Sequence, residues 1–409
     1  MTREALPPKK TTVTMLSFAP MVFDQRIQNE ACSLRDAGYD VTIIFVDDQE
    51  YNAGIPDPDR AWREYLNHTA GIKSIRIWLR SKSWKFLPSL LRRVIVLLEL
   101  FARFGYAVAI RRSDIYHAHD LTPVIFCFAA KIIHRAKIVY DAHEFEIDQA
   151  RFGKRWNFLV KMYEQLAVNL SSLSVTVNED IAKAMTEEYD RPVEVVENRP
   201  KYHPNSFPRS VDCSQKTTIM YVGYVDTGRG ILETVSALRY LPVSFEFEIL
   251  GAGRLAEFRD IVYEHAMKEN VDVNRIKFIG PVLPFEVVPV LSNADVSVML
   301  YQRRSQTNSM LSPNKFYQSV MARVPIIASN YGRLPDLVER NHGGLGVTVD
   351  ERDPKAIACG IRTLVERNEF YKKNLDHAAK AYCWEAQEDK LLSMYKELVF
   401  NKVATSQAF

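Results

Sequence analysis

Two short runs hold the densest chemistry in the chain. DIYHAHD carries His117, His119 and Asp120, and KIVYDAHE carries Asp141, His143 and Glu144 one strand–helix unit later. Imidazole and carboxylate groups side by side can move protons, hold hydroxyl-rich ligands or bind a metal ion. Alternation along a strand puts His117 and His119 on one face. A metal would need ligands from separate loops, because no HExxH run is present. The other reading is a polar pocket made by two neighbouring strand tips.

A second set is cationic and rich in glycine. GYVDTGRG places Arg229 between Gly228 and Gly230, with Gly223 at the end of the preceding strand. A guanidinium beside the free N–H groups of a helix start suits phosphate; the plainer alternative is a surface arginine in a glycine turn. GAGRLA, from Gly251 through Gly253 to Ala256, fits the dinucleotide fingerprint by letters. It follows the second strand of its unit and not the first, which favours a tight strand-to-helix turn over a nicotinamide site. In LSPNKFYQSVMARVPIIAS, Ser312 reads as a helix N-cap and Pro313 as the first helical residue. Lys315 and Gln318 then fall in the first turns, suited to a diphosphate and a hydroxyl-rich group. Asp24 and Arg26 open the first helix, where Asp24 can act as its cap. Asp57-Pro58-Asp59 matches an acidic metal motif by letters only and reads as a loop.

These residues need elements to hold them. Apolar runs of strand length recur at Thr11, Asp40, Ser74, Asp114, Lys137 and Ser174, with helical stretches between them. Strand–helix–strand alternation implies a parallel sheet, and ligands of such sheets sit at the carboxyl ends of the strands. Asn198–Lys216 has no periodicity and reads as a linker. Alternation then restarts with TTIMYVG, FEFEILGAG, RIKFIGP, DVSVMLY and PIIASN. Trp384–Phe400 has helical spacing.

Trp84–Arg112 breaks the rhythm. It is long and apolar, but Arg92, Arg93, Glu99 and Arg103 interrupt it. No run of about 18 apolar residues remains, which argues against a membrane-spanning helix. Two readings stay open: a core helix on the first sheet, or a helix lying in a membrane interface with its arginines on anionic headgroups.

The whole-chain figures bound the class. At 409 residues, two or three domains are expected. Hydrophobic residues at 47% and charged residues at 25% are globular values and exclude a disordered or fibrous chain. A formal charge of +3 is too small for a dedicated nucleic-acid binder. Cys32, Cys127, Cys213, Cys359 and Cys383 are scattered and never in CxxC spacing. A reducing cytosol is the expected setting. The first residues lack an apolar segment ahead of a cleavage site, so no signal peptide is expected.

Taken in order, DQRIQNEACSLRDAGYDVTII, DIYHAHD, KIVYDAHE, VNEDIA, YVGYVDTGRGILE, ILGAG, SPNKFYQSVMARVPIIAS and YCWEAQEDKLLSMY resemble the retaining GT-B glycosyltransferases of the family 4 (group 1) type. The resemblance covers nearly the whole chain. It implies an α/β fold of two Rossmann-like parallel-sheet domains facing a cleft: residues 1–198 for the acceptor, a linker at 199–216, and residues 217–383 for the nucleotide sugar. Residues 384–409 would form a helix returning to the first domain. By the same resemblance, Arg229 and Lys315 hold the donor diphosphate, and His119 faces the donor sugar. Gly223, Gly228, Gly251, Gly253, Ser312, Asn314 and Gln318 border the donor, with Gly280 to Val282 beside the base. Asp24, Arg26, His117, Asp120, His143 and Glu144 lie on the acceptor side. Gln318 and Met310 stand where the family usually carries a Glu pair.

The implied activity is transfer of a hexosyl group, with retention and without metal or other cofactor. The donor is a nucleoside diphosphate sugar, the acceptor is a glycan or lipid-linked molecule, and the expected role is cell-surface polysaccharide synthesis. The expected place is the cytoplasm, peripheral on the inner face of the cell membrane, with an anionic membrane surface and not nucleic acid as partner. A nucleotide-sugar epimerase of the same fold, and a non-catalytic partner subunit, are the alternatives.

Overall fold

The computed structural model describes residues 10–47, 57–145, 154–204, 216–253, 255–303 and 313–406. It divides into two compact units: residues 1–197 with 388–409, and residues 198–387. Met310, Ser312, Cys213 and most of the expected linker lie outside the described residues.

The first unit is built on a parallel sheet in the order β3-β2-β1-β4-β5-β6-β7. Its strands are β1 Thr12–Ser17, β2 Asp40–Asp47, β3 Lys73–Trp78, β4 Ile115–His119, β5 Lys137–Ala142, β6 Leu173–Thr176 and β7 Glu194–Val195. The helices are α1 Gln25–Asp36, α2 Pro58–His68, α3 Ser89–Ala109, α4 Val124–His134, α5 Lys154–Leu170 and α6 Glu179–Tyr189. Central strands such as TVTMLS and DVTIIFVD are buried along nearly their whole length. Helices on both faces of a parallel sheet require that, so these strands read as continuous rather than alternating apolar runs. Asp24 caps α1 by accepting from the Ile27 N–H at 3.1 Å.

The second unit repeats the plan in the order β10-β9-β8-β11-β12-β13. Its strands are β8 Thr217–Tyr224, β9 Phe245–Ala252, β10 Ile276–Ile279, β11 Val296–Met299, β12 Ile326–Ser329 and β13 Gly346–Val349. Between and after them run α7 Ile231–Ala237, α8 Leu255–Lys268, α9 Val287–Leu291, α10 Asn314–Ala322, α11 Pro354–Glu366 and α12 Asn368–Ala381, and the chain ends in α13 Glu385–Ser406. In each sheet the chain starts in the middle, winds outward, and then crosses back to wind the other way. The reversal falls between β1 and β4, and between β8 and β11. Such switch points leave a crevice at the carboxyl ends of the strands.

Three expectations change. Asp57-Pro58-Asp59 is not a loop: Asp57 caps α2, accepting from the Arg60 N–H, and Pro58 is the first helical residue. Proline fits there because that position has no intrahelical N–H bond to lose. At α10, Pro313 stands in the cap position and Asn314 begins the helix, one residue later than expected. For Trp84–Arg112, the core-helix reading holds for the last turns alone: burial in α3 begins only at Phe104, followed by Ala107 and Val108.

Candidate functional site

In the first unit, parallel pairing of β4 with β5 sets His119 opposite Asp141. Asp141 is completely buried and is the centre of the cluster. Its Oδ2 lies 3.1 Å from His119 Nδ1 and 3.2 Å from His143 Nε2. Arg26 reaches it from α1 with two N–H donors, at 2.8 and 2.7 Å. The same guanidinium stands 3.1 Å from Glu30, one turn further along α1. The His117 and His119 rings stack at 4.1 Å. Tyr395, on α13, meets His117 Nδ1 at 2.8 Å.

Burial raises the Asp141 carboxyl, but Arg26, His143 and the histidine hydrogen bonds outweigh it and hold the group well below the usual carboxylate range. Glu30 goes the other way. Burial lifts it to about 7, and Arg26 offsets only part of that. Burial, with help from His119, pushes His117 well down. His143 is raised to about 10: burial opposes its charge, but Asp141 and Asp120 favour it. Glu30, His117, His119 and Asp141 offer donor atoms within 4.8 Å of one another, a spacing from which a metal ion could be ligated. Arg26 already lies against both carboxylates, so a cation is present in that set without a metal.

These positions bear on the expected acceptor side. Arg26 and His117 are 1% exposed and are engaged inside the unit, with no open surface of their own. Asp24 serves as a helix cap. Asp120 takes a left-handed φ of 66°, while its carboxylate stands 3.6 Å from His143. Glu144 is exposed. His119 is buried, and its Nε2 has no hydrogen-bond partner among the described residues. Glu30 and Tyr395 were missed as site residues. The i,i+4 spacing of Arg26 and Glu30 was the available signal for the first. Tyr395 carries no separate signal, because its place in the helical spacing of Trp384–Phe400 is that of a packing residue.

In the second unit, the expected donor residues gather at the carboxyl edge of one sheet. Gly223 lies at the end of β8 with φ 126°, and a Cβ there would stand 3.7 Å from Lys315. Lys315, in the first turn of α10, sets its ammonium 4.1 Å from the Tyr221 ring centre and 5.0 Å from that of Tyr301. Arg229 lies over the other part of this site, 5.1 Å from the Tyr301 ring. Burial and the neighbouring Arg229 both drive the Lys315 pKa well below its usual value. Among the described residues no carboxylate forms an ion pair with Lys315. Two cations on tyrosine faces without an acidic counter-ion make a site for a polyanion.

The glycines have local reasons. Gly230 precedes α7 at φ 73°, and any Cβ would come within 2.2 Å of Leu300. Gly228 is buried in the same turn and its carbonyl accepts from Gln302 N–H. At the end of β9, a Cβ on Gly251 would strike Val225, and one on Gly253 would strike the Tyr224 ring. Gly280 and Val282 follow β10 at the outer end of that edge. Gln318 lies one turn beyond Asn314 on α10. Tyr221 and Tyr301 were missed as site residues, because inside a strand and at a strand end they read as core.

The comparisons decide the family. The profile described as "Glycosyl transferases group 1" matches residues 216–367, and "Glycosyl transferase 4-like domain" matches residues 24–199. The chain belongs to the group 1 glycosyltransferases. The GT-B fold agrees across nearly its full length: sucrose-phosphate synthase from Thermosynechococcus elongatus has a TM-score of 0.72 at 16% identity, covering 96% of this chain and 100% of that one. Anabaena HepE, solved in complex with UDP and glucose, has a TM-score of 0.68 at 14% identity, covering 95% and 100%. A curated D-inositol 3-phosphate glycosyltransferase from Corynebacterium glutamicum is 28% identical over 144 residues. That match takes in 34% of this glycosyltransferase and about a third, 32%, of its relative's length.

Proposed function

We propose that this glycosyltransferase moves a hexosyl group, with retention, from a nucleoside diphosphate sugar to a glycan or lipid-linked acceptor in cell-surface polysaccharide synthesis. The observation that carries the reading is the pair Arg229 and Lys315 at the β8/β11 switch point, two cations over the Tyr301 ring with no acidic partner among the described residues. A diphosphate supplies the missing negative charge. Gly251, Gly253 and Gly280 let the nucleotide approach the backbone, and the Gln318 amide is suited to ribose hydroxyls.

In the proposed step, the bond from the anomeric carbon to the diphosphate oxygen breaks. The bond to the acceptor oxygen forms on the same face, and the acceptor proton passes to the departing diphosphate. Arg229 and Lys315 stabilise charge on that leaving group. Asp141 fixes the His119 ring through Nδ1, which leaves Nε2 without a partner among the described residues. The reading is metal-independent, supported by Arg26 occupying the carboxylates of the metal-type cluster. Unbridged Cys32, Cys127, Cys359 and Cys383 support a cytoplasmic setting.

A thermal-shift panel of nucleoside diphosphate sugars, followed by product analysis with and without acceptor extracts, tests this. A donor at about 100 times its Kd stabilises the fold by roughly 2.7 kcal/mol. One nucleotide series should raise the melting temperature, and sugar transfer should require acceptor. No shift with any donor would overturn the reading. Sugar conversion without acceptor would identify an epimerase, and binding without transfer a non-catalytic subunit.

A further inference from the structure

The outer surface of α3, α4 and α5 is unlike the rest of the molecule. Right-handed crossovers put all three helices on the same side of the first sheet, since β3 to β6 are added in one direction. Observed contacts join them. Phe104 of α3 meets Phe126 of α4 at 4.8 Å, Phe128 of α4 meets Tyr163 of α5 at 6.4 Å, and Lys131 donates to the Leu170 carbonyl. The water-facing side of such a layer is ordinarily polar.

Here it is apolar. Leu90, Leu91, Val94, Leu97, Leu98 and Phe101 form one helical stripe on α3, and all are exposed. Phe86, just before the helix, is 79% exposed. On α4, Ile132 is 81% exposed, beside Ile133. On α5, Phe158, Leu159, Met162 and Leu166 are exposed as well. The face continues toward edge strand β3 as a groove of about 390 Å³, lined by Ile75, Ile77, Tyr106 and Ile110 with Arg103 and Arg111.

Charge identifies the occupant. Between Arg80 and Arg112 the chain has eight Lys or Arg residues and one acid, Glu99. Glu99 is spent locally, accepting from the Arg80 and Ser81 N–H groups and pairing with Arg103 at 2.7 Å. A symmetric dimer would press this positive face against itself. An anionic bilayer matches both parts, with phosphates for the basic residues and acyl chains for the stripe. Among the described residues no helix is long and apolar enough to cross a membrane, so the helices would lie on it.

We propose that the outer face of α3, α4 and α5 docks on an anionic membrane, with Leu90, Leu97, Leu98 and Phe101 in the acyl boundary and Lys85, Arg92 and Arg93 on lipid phosphates. This goes beyond the proposed function and does not depend on it. It also favours a lipid-linked acceptor over a free glycan.

Co-sedimentation of the full chain with vesicles tests it, comparing neutral phosphatidylcholine with mixtures containing phosphatidylglycerol. The bound fraction should be high on anionic vesicles at low salt, low on neutral ones, and should fall as salt rises. Arg92→Glu/Arg93→Glu should weaken binding about tenfold or more. Leu97→Ser/Leu98→Ser should weaken it at low salt, with far-UV dichroism and melting temperature unchanged. Wild type remaining in the supernatant with anionic vesicles at low salt overturns the proposal. So does wild-type binding by the glutamate variant, or a dimer in light scattering that the serine variant dissociates. Thermal shift with nucleotide sugars on the same samples reports separately on the donor site.

Discussion

The two sheets wind the same way and carry ionisable groups at the same switch point, yet their electrostatics differ. In the first unit, Arg26, Asp141, Glu30 and three histidines answer one another inside a closed cluster. In the second, Arg229 and Lys315 repel each other on the faces of Tyr221 and Tyr301. A buried network that balances itself holds strands and rings in place. One left with excess charge is completed by a ligand. On the proposed reading, the first cluster holds its own rings, His119 among them, and the second binds the donor anion.

The largest break in that comparison comes from removing the centre of the balanced cluster. Asp141→Ala leaves Arg26 buried without its main partner, and unfolding should become easier by about 3–5 kcal/mol. Denaturant titration measures it, and a loss well under 1 kcal/mol would mean that the network is not structural.

Arg229→Ala should do the reverse, leaving the unliganded melting temperature nearly unchanged while weakening donor binding by about 1.5–3 kcal/mol, roughly 10- to 100-fold. Calorimetric titration against the donor found in the panel decides this, and unchanged affinity removes Arg229 from the site.

Lys315 gives a smaller, pH-dependent effect. Its folded pKa lies well below 10.5, so the free protein holds this lysine partly neutral at high pH, whereas a bound anion favours the charged form. Donor affinity should therefore fall as pH rises through the depressed pKa, with proton uptake on binding. Lys315→Met should remove that pH dependence and leave unliganded stability equal or higher, because a disfavoured charge is lost.

The smallest expected effect is at Glu30. Its folded pKa of about 7 exceeds the ordinary 4.5, so between those values the folded state holds a proton that the unfolded chain has released. Glu30 thus lowers stability as pH rises through that window. Glu30→Gln should flatten the melting-temperature profile between about pH 5 and 7; an unaltered slope would place the titration elsewhere.

Much of the fold was legible because strand-length apolar runs, polar strand ends and capping residues act locally. Gly223 read correctly as the end of its strand and Gly228, Gly230 and Gly253 as turn residues, whereas Gly251 falls inside β9. Glu30, Tyr221, Tyr301 and Tyr395 did not stand out, since each has an ordinary structural role in its own segment. The paired carboxylates of Asp57-Pro58-Asp59 misled for a related reason: a capped helix start and a polar loop use the same letters.

By itself the sequence determined the two parallel sheets, their polar strand ends and the basic residues that can meet phosphate. Those follow from periodicity, glycine and charge, which are properties of neighbouring residues. Only the tertiary structure decided which charges cancel. Arg26 and Asp141 are far apart in the chain, and the β4–β5 register and the packing of α1 bring them together. Tertiary packing also decided that α3 turns its apolar stripe outward, because burial depends on which surfaces neighbouring elements leave uncovered and not on the hydropathy of the helix alone.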